Sequence, residues 1–101
     1  MALEHLHESI TKQNLWLYIL ALLRDSSASP PEIKEAVRVR FGFSPAKITF
    51  YSVLYKLRRE GLVEKITDSF RSRYRITEKG DGALDDGIRL LTQTVDGLKA
   101  R

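Results

Sequence analysis

A helix with a polar, basic outer side, a second helix ending just before it and a short basic hairpin just after it together predict the fold class. It is mainly α (α+β): a winged helix-turn-helix with a β-hairpin wing and an additional C-terminal dimerisation helix. The first of these observations is the stretch at residues 44–61, SPAKITFYSVLYKLRREG. The second helix covers roughly residues 30–41, and the hairpin covers residues 62–77.

Composition narrows the function classes. A chain of 101 residues is about one domain. With 43% apolar and 30% charged residues it reads as globular rather than disordered. The net charge of +4 is unevenly placed: residues 41–75 carry eight basic and three acidic side chains, while the flanking stretches are nearly balanced. A local excess of this kind suits nucleic acid, although a solvated basic face is the simpler alternative. The absence of cysteine removes disulfides and thiolate chemistry. No apolar run reaches membrane-spanning length, and the acidic start MALEHLHES does not resemble a signal peptide, so a cytoplasmic location is expected.

Taken in order, residues 3–10 form a short helix with Leu3, Leu6, His7 and Ile10 on one side. So short a helix is marginal without something to dock on. Thr11 breaks the chain, and residues 12–24 form a helix apolar on nearly every side, the mark of a central element. Residues 25–29 read as a polar turn. Ser29 followed by Pro30, Pro31 and Glu32 is a helix start, and Gly42 is its stop. In the next helix Ser44 is the expected cap and Pro45 the first helical residue. Phe50, Leu54 and Leu57 form its buried stripe, widened by Ile48, Tyr51 and Tyr55, and Gly61 ends it.

After Gly61 the period changes. Two β-rich segments, residues 62–67 and 71–77, flank Asp68, Ser69 and Phe70 as a hairpin. Arg71, Arg73 and Arg75 share one face of the second strand and Tyr74 and Ile76 the other; a plain sheet edge with solubilising arginines is the alternative. Thr77 caps a last helix over residues 78–98, which Gly80, Gly82, Gly87 and Gly97 weaken intrinsically. In it Leu84, Ile88, Leu91, Val95 and Leu98 repeat as a heptad seam. A second subunit is the expected cover; folding back onto residues 15–23 is the alternative, and the two can hold together for different halves. The expected divisions are an N-terminal helical arm at 1–11, a winged-helix unit at 12–77 and a dimerisation helix at 78–101.

Several runs resemble the PadR-like family of winged-helix transcriptional regulators: ILALL at 19–23, RFG at 40–42, SPAKITFYSVLYKLRREGLVEK at 44–65 and RSRYRITEKG at 71–80. The resemblance covers about residues 15–84. It implies that the helix within 44–60 is a recognition helix, that the hairpin is a wing and that the terminal helices form the dimer. The chain departs from the family pattern at SASPPEI, where a glycine-tyrosine pair is common, and at Ser52, where proline is common. No counterpart of the large C-terminal domain of long members is expected.

These readings assign base-edge contacts to Ala46, Lys47, Thr49 and Ser52: lysine can donate to guanine, the hydroxyls of Thr49 and Ser52 can hydrogen-bond, Thr49 can instead pack on a thymine methyl, and the small Ala46 permits close approach. Phosphate contacts fall to Lys34, Arg38, Lys56, Arg59, Arg71, Arg73 and Arg75. The dimer interface is expected to use Leu6, Ile10, Leu84, Ile88, Leu91, Val95 and Leu98. Tyr51, Leu54, Leu57, Trp16 and Leu20 are expected in the core, as is Phe50 in preference to DNA contact. For Trp16 and Tyr18, core or interface packing is preferred over stacking on a flat effector, which no motif indicates. The partners are therefore double-stranded DNA and a second copy of the chain, with no membrane. No cofactor, metal or catalytic residue is expected: His5 and His7 alone make a poor metal site, and Gly80–Gly82 is too short for a phosphate loop. The function expected is a sequence-specific DNA-binding transcriptional regulator, a homodimeric repressor reading an inverted repeat. The alternatives are a nonspecific architectural DNA-binding protein and a protein-interaction module.

Overall fold

The computed structural model describes residues 1–68 and 70–101. In chain order these form α1 (Ala2–Ile10), a 3-10 turn (Lys12–Asn14), α2 (Leu15–Asp25), α3 (Pro30–Phe41), α4 (Lys47–Arg59), β1 (Val63–Asp68), β2 (Arg71–Ile76) and α5 (Glu78–Lys99). The arrangement is a mainly helical winged helix-turn-helix. The middle of the expected hairpin turn, Ser69, lies outside the described residues.

The core forms around α2, as its all-round apolar sequence requires. Leu15, Ile19, Leu20 and Leu23 are buried against Ile33 and Val37 of α3, Phe50, Leu54 and Leu57 of α4, and Val63 and Leu84. Tyr18 leaves α2 on another side, where the rings of Phe41 and Phe43 meet it edge-on at 4.8 and 5.0 Å. Its hydroxyl donates to the Ile10 carbonyl. Trp16 instead lies under α5, near Gly87. The two aromatic side chains therefore do not form one stacking site.

Local signals set most helix ends. The Ser29 hydroxyl accepts from the Glu32 amide, and the Glu32 carboxylate accepts from the Ser29 amide at 2.9 Å, a complete capping box. Gly42 closes α3 at φ +79°. At Gly61, with φ +77°, the Leu62 amide donates to the Leu57 carbonyl and the Gly61 amide to the Arg58 carbonyl. This is a Schellman stop, sealed by the buried Leu57 and Leu62 side chains.

Three expectations on this part of the chain are corrected. The fourth helix starts at Lys47 with Ala46 as its cap residue, not at Ser44 and Pro45. Phe43 and Pro45 are both buried, which pins the connection onto the core and keeps Ala46 extended (φ −60°, ψ 142°). Ile48, Tyr51 and Tyr55 do not widen the buried stripe; they are 86%, 42% and 65% exposed. The segment before α3 is more than a polar turn, because Ala28 exchanges two backbone hydrogen bonds with Tyr74, at 3.0 and 2.8 Å, and so joins the wing through an isolated β-bridge.

The hairpin pairs Val63 with Ile76 and Lys65 with Tyr74. It hands over to α5 through Thr77, whose hydroxyl donates to the Gly61 carbonyl at 2.6 Å and accepts from the Gly80 amide at 3.0 Å. Gly80 and Leu84 are buried, and Arg24 of α2 clamps Asp81 at 2.6 Å and Asp85 at 2.7 Å. The first half of α5 thus folds back onto the protomer. Leu84 lies in the protomer's own core, not on the free seam expected for it. Beyond Gly87 every residue of α5 is exposed, as is nearly all of α1. The molecule is accordingly elongated, 56 × 28 × 21 Å.

Candidate nucleic-acid interface

At 3.6 residues per turn, Phe50, Leu54 and Leu57 turn one side of α4 to the core. The row opposite them runs Ile48, Ser52, Tyr55 and Arg59, at spacings of four, three and four. Lys47, Tyr51 and Arg58 flank this row on one side, Thr49 and Lys56 on the other. All nine are exposed. The four residues expected to read bases, Ala46, Lys47, Thr49 and Ser52, thus lie exposed on α4 or at its cap. The outermost position between Lys47 and Ser52 is held by Ile48, which sequence reasoning had placed toward the core. The signal was available: Ile48 is in helical phase with Ser52 and Arg59, not with Phe50 and Leu54.

Electrostatics divides the cations into two groups. Lys12, Arg24, Arg38, Arg40, Arg73, Arg75 and Arg89 are each paired with a carboxylate of the same chain. Among the described residues, Lys34, Lys47, Lys56, Arg58, Arg59, Lys65, Lys79, Lys99 and Arg101 form no ion pair. Four of these nine lie on α4, more than on any other element. The unpaired positive charge is therefore concentrated on the helix whose outer side is free of packing.

This division changes the emphasis among the expected phosphate contacts. Arg38 is held by Glu35 and Arg75 by Glu64. Arg73 donates to the Ser27 carbonyl at 2.7 Å and stands 3.9 Å from the Glu32 carboxylate. It ties the wing to the loop before α3, beside the Ala28–Tyr74 bridge. Its guanidinium is a structural fastener, and its charge is partly answered within the chain. Lys34 lines a shallow hollow with Pro31, Glu35, Arg38 and Ser44, which brings α3 beside the start of α4. Arg71 is exposed at the start of β2.

Two of the carboxylates that pair with cations, Glu32 and Glu35, are shifted. Glu32 is held below the usual carboxylate range, chiefly by the Ser29 amide and then the Ser29 hydroxyl, with Arg73 and Arg71 adding to the effect. Glu35 is lowered by its hydrogen bonds to Arg38. Burial raises the Tyr18 phenol. Among the described residues no group of three or more His, Asp or Glu side chains is placed to hold a metal ion, and no helix is long and apolar enough to cross a membrane.

Two helices joined by a short connection, with a hairpin after the second, define the class as a winged helix. Within that class the fold is similar to that of PadR-family transcriptional regulators, the family the sequence resembles. A transcriptional regulator from Clostridium thermocellum superposes with a TM-score of 0.73 at 22% identity, covering 85% of this chain and 92% of that one. A PadR family transcription regulator from Clostridium difficile gives 0.70 at 19% identity, covering 84% and 97%. PadR from Bacillus subtilis, solved in complex with operator DNA, gives 0.64 at 30% identity over 73% of this chain and 46% of its own length. No family model matches the chain, and no curated protein matches it in sequence.

Proposed function

We propose that the protein is a DNA-binding transcriptional regulator that inserts α4 into the major groove and works as a homodimer on an inverted repeat. The observation that carries this reading is the cluster of unpaired cations on a helix side left free by the rest of the chain. Phosphates attract such charges and gain entropy by releasing counterions, while an exposed helix of this width fits the major groove. The operator complex of the Bacillus subtilis neighbour supports the same reading. In this reading Ala46, Lys47, Thr49 and Ser52 face base edges. Lys34, Lys56, Arg59 and Arg71 face phosphates directly, with Arg38, Arg73 and Arg75 at the margin of the same surface.

The proposed division is an arm at 1–11, a DNA-binding unit at 12–77 and a dimerisation helix at 78–101. The exposed Leu6, Ile10, Ile88, Leu91, Val95 and Leu98 support a second copy as the cover of α1 and the outer half of α5. A symmetric dimer presents two recognition helices to half-sites about one helical turn apart. Repression is the proposed outcome because a dimer seated in the groove occludes the duplex. No effector, cofactor or catalytic step is part of the proposal, and the site proposed for it is the cytoplasm.

Selection from a random duplex pool, beside a salt titration on a random duplex, tests the proposal. A palindromic motif with steep salt dependence is the expected result. Steep dependence without a motif means an architectural protein, and no duplex binding at low salt means a protein-interaction module.

A further inference from the structure

Ile48 is hard to account for by folding alone. It is 86% exposed, so it adds almost nothing to the core. It is β-branched and sits in the first turn of α4, where a straight-chain residue or alanine has better helix propensity. Its neighbours are Lys47 and Thr49 in sequence and Tyr51 and Ser52 one turn on, and Tyr55 and Arg59 continue the same exposed row. Within the proposed interface it belongs to the row of α4 opposite the buried stripe of Phe50, Leu54 and Leu57.

A major groove presents one apolar feature, the C5-methyl of thymine. Residues near the start of a recognition helix are those that reach base edges. The positive charge around Ile48 selects a polyanion as the occupant of this side, and the branched Cβ presents a rigid apolar cap to it. We infer that Ile48 is a specificity-determining residue that packs against a thymine methyl group in the bound half-site, flanked by Lys47 and Ser52. This rests on the DNA-binding reading above. It assigns to Ile48 the preference for thymine, and leaves guanine contact to Lys47.

The test replaces thymine by deoxyuridine, one position at a time, in a duplex carrying the selected motif. This removes the methyl and keeps base pairing. Binding by the wild-type chain should weaken about three- to five-fold at one position per half-site, the scale for losing one methyl contact from an apolar surface. Ile48→Ala should bind the thymine duplex more weakly by a similar factor and lose the response to deoxyuridine. Ile48→Val should retain most of it. Thermal stability should not fall in either variant, since the side chain is outside the core and alanine has the better helix propensity.

Wild-type binding that is indifferent to every deoxyuridine, or an Ile48→Ala variant with the full methyl response, overturns the inference and leaves the regulator reading standing. Failure of the wild-type chain to bind any duplex overturns both. A change in solution mass of the DNA-free protein on Ile48→Asp, without methyl dependence in the wild type, assigns this side to a protein contact and overturns the inference as well.

Discussion

Gly80→Ala is the sharpest test of how α5 is seated. In an exposed helix interior, alanine is favoured over glycine by about 1 kcal/mol. At Gly80 the added methyl would lie 2.0 Å from the Leu62 carbonyl oxygen and 2.9 Å from both the Leu62 carbonyl carbon and the Ile76 Cγ1. The obstacle is backbone, so no rotamer change relieves it. The same Leu62 carbonyl accepts the Thr77 amide at 3.1 Å, so displacing it also loosens the start of the helix. Overpacking of this kind costs about 3 kcal/mol, the upper part of its usual range. Set against the helix gain, the net loss is about 2 kcal/mol, which lowers Tm by roughly 8–16 °C in a domain of this size. Gly82→Ala is the matched control: a methyl there meets nothing within 4 Å, so it should stabilise by about 0.5–1 kcal/mol. Thermal unfolding followed by circular dichroism at one fixed protein concentration reads both, because self-association would otherwise shift the midpoint. Opposite signs are expected. If Gly80→Ala melts with or above the wild type, α5 does not rest against Leu62 as described.

Two further outcomes follow from the charges. Glu32 has its carboxyl lowered in the folded chain, so its contribution to stability is present above the unfolded value near 4.5 and is lost as pH falls through the folded value. Glu32→Gln imitates the protonated acid: its Tm should lie below the wild type at pH 7, and the two curves should converge toward pH 3. A gap that stays constant over that range would show that the Ser29 and Arg73 contacts do not depend on the carboxylate charge. For DNA, Lys56→Ala should reduce the slope of log affinity against log salt by about 1, because an unpaired cation is removed. Arg75→Ala should reduce it less, since Glu64 already answers that charge. Equal losses would refute the division between paired and unpaired cations.

The parts of this protein legible from the sequence are those governed by neighbouring residues. Ser29 with Glu32, Gly42, Gly61 and Thr77 mark helix ends because capping satisfies amides and carbonyls within a few residues. The central place of α2 and the buried stripe of α4 follow from helical periodicity, and the order of helices and hairpin defines the winged helix. Tertiary structure decided what periodicity could not resolve. Burial of Phe43 and Pro45 moved the start of α4 to Lys47, against a locally plausible cap at Ser44. Pairing of Ala28 with Tyr74 bridged a polar loop to the wing, and with it made Arg73 a fastener. A heptad pattern is the same whether a helix meets its own core or another chain; only the packing of Gly80, Leu84 and Gly87 divided α5 into a covered half and a free one. Likewise a count of arginines and lysines is blind to pairing. Ion pairs form only where opposite charges come within about 4 Å in suitable geometry, so only their placement in space separated the cations that hold the fold from those left to meet a partner.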